Sequence, residues 1–226
     1  MKKTFLILSI LTIIISSCVT SLQPIVTYQN ALPDSRLEGT WEYDGQKYLI
    51  QKLFNSDFYE KYKEQMKKDN KDLSHQLSAN EKNDSILYSK SYMVKYTKDN
   101  LEYHLFGSMT KLNGRLFLNL TPADLNSVGG NGEPDDLIFD SRLFTHTIAR
   151  LEFTGKNAIK LDFIDGGFLY DQIKAGRMKI KNVSDELYDT FLITASTSEL
   201  QQFLDKYGND DRFFNKENSV TLNRKS

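Results

Sequence analysis

Short stretches in which apolar and polar residues alternate, broken by turn signals, recur through most of this 226-residue chain. A period of two sends successive side chains to opposite faces of an extended strand, so such a chain must pair its strands and bury one face. Residues 40–43 lead into Asp44-Gly45, a tight-turn pair, and 47–53 resume the extended run, which predicts a hairpin. Further strands are expected at 86–97, 101–108, 115–120, 143–154, 158–164, 177–183 and 188–194, with Leu112-Asn113-Gly114 as a second tight turn. Helices between strands are too few for parallel βαβ units. The expected fold is mainly β: an antiparallel meander closing to a barrel, with one inserted amphipathic helix and one C-terminal helix.

The inserted helix shows as Phe54, Phe58, Tyr62 and Met66, every four residues among Lys, Glu and Asp, reaching about residue 68. It reads as a helix packed on the sheet, in preference to a gating lid. The C-terminal helix is announced by a capping box, Ser196 with Glu199, followed by Leu200, Phe203, Leu204 and Tyr207 and stopped at Gly208. It is expected to pack across the outside of the sheet or to cover an open edge. Residues 69–84 read as a polar loop or weak helical extension, 121–140 as a long irregular stretch, and 215–226 as a flexible tail. Asn131, Asp135 and Asp136 are oxygen donors, but the alternating ligand register and terminal Glu of a calcium loop are missing, so they read as a solvated loop.

Charge and cysteine count exclude other classes. With 29 Lys and Arg against 30 Asp and Glu, the surface is nearly neutral and offers no footprint for nucleic acid. One cysteine allows no intramolecular disulfide, so stability must come from a core filled largely by 14 Phe and 12 Tyr.

That cysteine, Cys18, ends an apolar run that follows Lys2 and Lys3. The run is shorter than the roughly 20 apolar residues a membrane-spanning helix needs. Ile15-Ser16-Ser17-Cys18 matches the lipobox pattern at every position, and the leader resembles the cleaved signal of bacterial lipoproteins. The resemblance implies loss of residues 1–17, a diacylglyceryl thioether on Cys18 and a fatty acyl group such as palmitate on its amino terminus. It also implies a cell-envelope location, by analogy at the outer membrane. Residues 18–36, with Pro24 and Pro33 and no apolar period, then read as a lipidated tether ahead of a domain at 37–214.

Gly39-Thr40-Trp41 opens the first strand of the meander. A Gly-x-Trp triplet there, with a late single helix, is similar to the lipocalin pattern. In that family the tryptophan closes the barrel floor and the cavity holds small apolar molecules. The inserted helix after the second strand departs from the pattern. The resemblance implies a ligand-binding wall that includes Trp41, Tyr43, Tyr103 and Phe117.

No nucleophile elbow, zinc-protease helix or phosphate-binding glycine loop is present, so no catalytic residue, cofactor or metal is expected. His75, His104 and His146 are isolated; strand histidines bonded to neighbours or water are the preferred reading, and His146 is the better candidate to orient a ligand. The sequence thus predicts a non-catalytic, lipid-anchored envelope protein holding a small apolar ligand. The alternative is an envelope interaction lipoprotein with a solid barrel that binds a partner protein.

Overall fold

The computed structural model describes residues 19–68, 79–98, 101–123, 144–185, 190–217 and 219–225. Among them, eight antiparallel strands close into a barrel, a mainly β architecture consistent with a lipocalin-like barrel. The meander runs β2 (Gly39–Tyr43), β3 (Gln46–Lys52), β4 (Tyr92–Lys98), β5 (Leu101–Leu112), β6 (Arg115–Pro122), β7 (His146–Thr154) and β8 (Ala158–Phe163). Strand β11 (Val220–Arg224) then pairs with β8 on one side and β2 on the other, completing the ring. Closure removes the unpaired edges that an open sheet would expose.

Two turns set the register. Asp44 and Gly45 have φ of 48° and 73°, and Asn113 and Gly114 have 43° and 79°. Two consecutive left-handed residues give the turn whose twist matches the strands it joins.

Outside the ring, β1 (Thr20–Ser21) pairs antiparallel with β7 and parallel with β10 (Thr190–Ile193), which carries β9 (Asn182–Asp185). Helices α1 (Asp57–Lys68) and α2 (Ala79–Ser89) lie on the outer face of β4 and β5. There the ring of Phe58 sits 6.0 Å from that of His104, and Tyr88 meets Phe106 edge-on at 5.4 Å. Helix α3 (Gly166–Lys174) and helix α4 (Thr197–Tyr207) cover another part of the outer wall.

Alternation therefore feeds two cores. Trp41, Ile50, Val94, Met109, Leu118, Leu151, Ile159 and Leu222 pack inside the barrel. Phe117, Ile148, Ile193, Leu200, Leu204 and Phe213 pack between the outer wall, the helices and the N-terminal segment.

Several expectations are corrected. Residues 215–226 are not a free tail, because β11 is paired along both sides and closes the barrel. Its side chains alternate too briefly for the sequence to announce it. Nor is 19–36 a tether: Val19, Ile25 and Val26 are buried, and the segment is stitched to the wall. Ile25 N–H donates to Asn119 Oδ1, Leu32 N–H donates to Met109 O, and the Tyr92 hydroxyl bridges the N–H and carbonyl of Asp34. Such a docked strap has neither period, so no pattern shows it.

The strand expected at 86–97 starts only at Tyr92, because α2 continues through Ser89 and closes with the Ser91 hydroxyl donating to Leu87 O. Of 177–183 only the last two residues are in a strand. Helix α3 was not expected at all; Asp165 caps it by accepting from Phe168 N–H. The expected leader with Cys18, His75, and the stretch holding Asn131, Asp135 and Asp136 lie outside the described residues. No described helix is long and apolar enough to cross a membrane.

Candidate functional site

Residues directly opposite in a ladder share a face, so the buried Trp41 identifies the inner wall. Trp41 pairs with Tyr48, Tyr48 with Tyr96, and Tyr96 with Tyr103. All four therefore face the lumen.

One end of that lumen is sealed. The Trp41 indole N–H donates to Leu37 O at 2.8 Å, holding the short 3-10 turn Ser35–Leu37 across the opening. Arg224 lies over the indole with its guanidinium carbon 4.3 Å from the ring centre. It also donates to Glu38 O at 2.9 Å and to Arg36 O at 2.7 Å. Gly39 has φ of 136°, and a Cβ built there would stand 2.5 Å from Arg224 Nη1. The glycine of Gly-x-Trp is thus required for its backbone geometry, and a Cβ there would also displace the end of the Arg224 side chain.

Around this floor Met109, Leu118, Leu151, Ile159 and Leu222 are all at most 5% exposed. Toward the other end the inner wall opens. Tyr48, Tyr96, Leu105, Leu120, Phe163 and Val220 are only partly buried, and Tyr43 and Tyr103 are each 39% exposed. The tyrosines form a ladder: ring centres of Tyr48 and Tyr96 are 5.5 Å apart, and those of Tyr96 and Tyr103 stack at 5.0 Å.

Burial raises the phenol pKa of both Tyr48 and Tyr96, with neighbouring tyrosines adding to it. Both stay neutral at physiological pH. The Tyr48 hydroxyl donates to Gln46 Oε1 at 3.0 Å. The result is an aromatic and aliphatic cup with neutral polar edges, a surface suited to an apolar molecule bearing one or two hydrogen-bonding groups.

Of the expected wall residues, Trp41 forms the floor, and Tyr43 and Tyr103 line the open end. Phe117 and His146 do not face the lumen. Phe117 is fully buried in the outer core, where Gly208 at the end of α4 lets it approach. Leu116, Leu118 and Leu120 point inward, and Arg115, Phe117, Asn119 and Thr121 occupy the outward positions, so Phe117 is the one apolar side chain on the outer face of this strand.

His146 lies on the same outer face as the buried Ile148, with Nδ1 2.7 Å from Thr121 Oγ1 and 3.3 Å from Asn119 Nδ2. His104 faces outward under α1, with Nε2 3.3 Å from Glu102 Oε1 and Nδ1 buried without a partner. The two histidines do not converge, and no three metal-ligand side chains cluster among the described residues. Burial lowers the pKa of both.

Sequence reasoning missed Tyr48, Tyr96, Leu120, Phe163 and Arg224. The tyrosines were legible, because Tyr48 sits seven residues after Trp41 across a predicted hairpin whose register the Asp-Gly turn fixes. Arg224 was not, since its strand is defined by partners far away in sequence.

No family model, no curated protein and no solved structure matches this chain.

Proposed function

We propose that this protein is a non-catalytic, lipid-anchored binding protein of the bacterial cell envelope, holding a small apolar ligand in the open end of its barrel. The observation that carries the binding role is the gradient along the inner wall. One end is sealed by Trp41 and Arg224, whereas Tyr43 and Tyr103 at the other remain 39% exposed above partly buried Leu120 and Phe163. Apolar burial of about 25 cal/mol per Å2 would drive such a ligand inward, and the Tyr48 hydroxyl edge would orient its polar end.

The anchor rests on Ile15-Ser16-Ser17-Cys18. Docking of Val19 and Thr20 onto the barrel adds a geometric consequence: acyl chains on Cys18 would hold the folded body close to the bilayer rather than on a long leash.

The test is native mass spectrometry of protein purified from its own envelope, beside a Leu120→Arg variant that puts a charge into the cup. The expected result is a small co-purifying molecule on the parent, at least tenfold depleted on the variant, with a mature chain beginning at an acylated Cys18. Equal retention by both proteins, or a parent that carries nothing, overturns the lumen as a site. A mature chain beginning elsewhere overturns the anchor.

A further inference from the structure

We propose that the groove between α3 and α4 is a second binding site, for an anionic amphiphile: a carboxylate- or phosphate-headed molecule with an apolar chain. It lies on the outer face of the fold, away from the lumen.

The groove encloses about 800 Å3, within the range of about 300–1,000 Å3 typical of ligand sites. Its floor is apolar. Met178 and Phe203 are buried there, and Ile173, Ile180 and Tyr207 are half-buried, all continuous with the outer core. Along α4 the floor runs from Glu199 to Tyr207, about 12 Å at 1.5 Å per residue.

Its rim is cationic. Arg177, Lys179 and Lys181 stand on the loop after α3, and Lys206 stands on α4. Glu199 is the only carboxylate in the lining and is already engaged: it receives Lys181 at 2.9 Å and the Ser196 hydroxyl at 2.8 Å, which lower its pKa to about 2. Arg177 donates to the neutral Gln172 Oε1, and Lys206 lies 4.8 Å over the Tyr207 ring. Arg177, Lys179 and Lys206 have no carboxylate partner among the described residues. In a nearly neutral chain, three uncompensated cations around one apolar trough form a local field that concentrates anions.

An anionic head with an apolar tail satisfies both halves of this surface. A purely polar anion would leave the floor wet, and an uncharged lipid would leave the cations unanswered. The groove also adjoins the sheet extension that holds the chain's start, since Thr194 N–H donates to Lys181 O and Leu22 N–H donates to Ile193 O. The same headgroup chemistry can therefore come from a free fatty acid or from a bilayer.

The experiment follows backbone amide shifts of the 15N-labelled full chain carrying Cys18→Ser, titrated with sodium laurate, with methyl laurate, and with vesicles of phosphatidylglycerol or of phosphatidylcholine. Laurate is expected to shift amides of 173–181 and 199–207 saturably, with affinity falling at least tenfold in the triple variant Arg177→Glu, Lys179→Glu, Lys206→Glu. The uncharged ester is expected to bind at least tenfold more weakly to the parent, a comparison that needs no variant.

Broadening of the same amides by phosphatidylglycerol but not phosphatidylcholine vesicles assigns the head to the bilayer; a response to laurate alone assigns it to a free amphiphile. Shifts confined to the barrel mouth, equal affinity for acid and ester, an unchanged affinity in the triple variant, or no response to either anion overturns the proposal. The lumen reading is tested separately by Leu120→Arg, which leaves the groove untouched.

Discussion

Arg224 and Trp41 lie 183 residues apart and form the floor of the barrel: the guanidinium covers the indole at 4.3 Å while bonding the carbonyls of Glu38 and Arg36. This arrangement ties the last strand to the first and closes one opening with the same side chain. A half-buried cation over an indole contributes about 1 kcal/mol, and each of the two partly exposed hydrogen bonds contributes about 1 kcal/mol more.

Removing the lock should be costly. Arg224→Ala is expected to destabilise the protein by about 3 kcal/mol, and Arg224→Lys to recover little, because an ammonium cannot stack flat and reach both carbonyls. Gly39→Ala is expected to cost about 2–4 kcal/mol through its φ and its collision with Nη1. Urea unfolding checks both; a midpoint within error of the parent's for Gly39→Ala would contradict the account.

At Gly208 the expected sign opposes helix propensity. Glycine to alanine at a helix end is ordinarily neutral or mildly stabilising, but a Cβ here would stand 2.5 Å from Leu204 O and 2.6 Å from Phe117 Cζ. Gly208→Ala should therefore destabilise by about 1–3 kcal/mol as α4 is pushed off the wall. Pairing it with Phe117→Leu should recover part of the loss, measurable as a non-additive double-mutant cycle.

Acid should weaken the fold through its histidines. Burial lowers the pKa of His104, opposed by Glu102 and helped by Lys95, and burial lowers that of His146. The unfolded chain, with histidine pKa near 6.5, then binds more protons than the native state in this range. The histidine contribution is complete above about pH 6.5 and is lost as pH falls through the lower native values. His104→Leu, which also removes the unpartnered Nδ1, should flatten the dependence of unfolding free energy on pH below about 6.5; an unchanged slope would count against it.

Asp162 is a buried carboxylate on the outer wall, 3% exposed, and three donors converge on it. Arg150 reaches it at 3.0 Å, Lys160 at 2.8 Å and the Ser219 hydroxyl at 2.6 Å. Burial alone would raise its pKa, but these donors together hold it below the usual carboxylate value. Its stabilising contribution is present above about pH 3.9 and disappears as pH falls through the lower native value. Asp162→Ala should cost about 1–3 kcal/mol by removing the buried acceptor shared by Arg150, Lys160 and Ser219, while Arg150 keeps Asp211 at 2.8 Å and the face of Phe214. Asp162→Asn, which keeps the Ser219 bond, should cost less; thermal denaturation of the two variants separates the charge from the hydrogen bond.

Much of this architecture is written locally. The Asp44-Gly45 and Asn113-Gly114 turns, the capping box at Ser196 and the alternation along β2, β3 and β5 each involve residues a few positions apart, so short-range geometry decides them. The same grammar misassigned Phe117 and His146, because period two states that a strand has two faces and not which of them is the lumen when a helix or a strap covers the outside. Residues 86–89 read as the start of a strand, whereas they end α2, held there by the Ser91 hydroxyl on Leu87 O and by the contact of Tyr88 with Phe106.

What the chain by itself determined is its class: paired strands joined by tight turns, one amphipathic helix inserted in the meander and one after it, a near-neutral charge balance, and an apolar run ending at one cysteine. Tertiary structure decided the closure. The segments 19–37 and 220–224 carry no pattern of their own and are held by partners 58 to 188 residues away, such as Tyr92 for Asp34, Leu161 for Val220 and Arg36 for Arg224. Ring closure is a long-range contact, and its stabilisation comes from surfaces that do not exist until the other strands are in place.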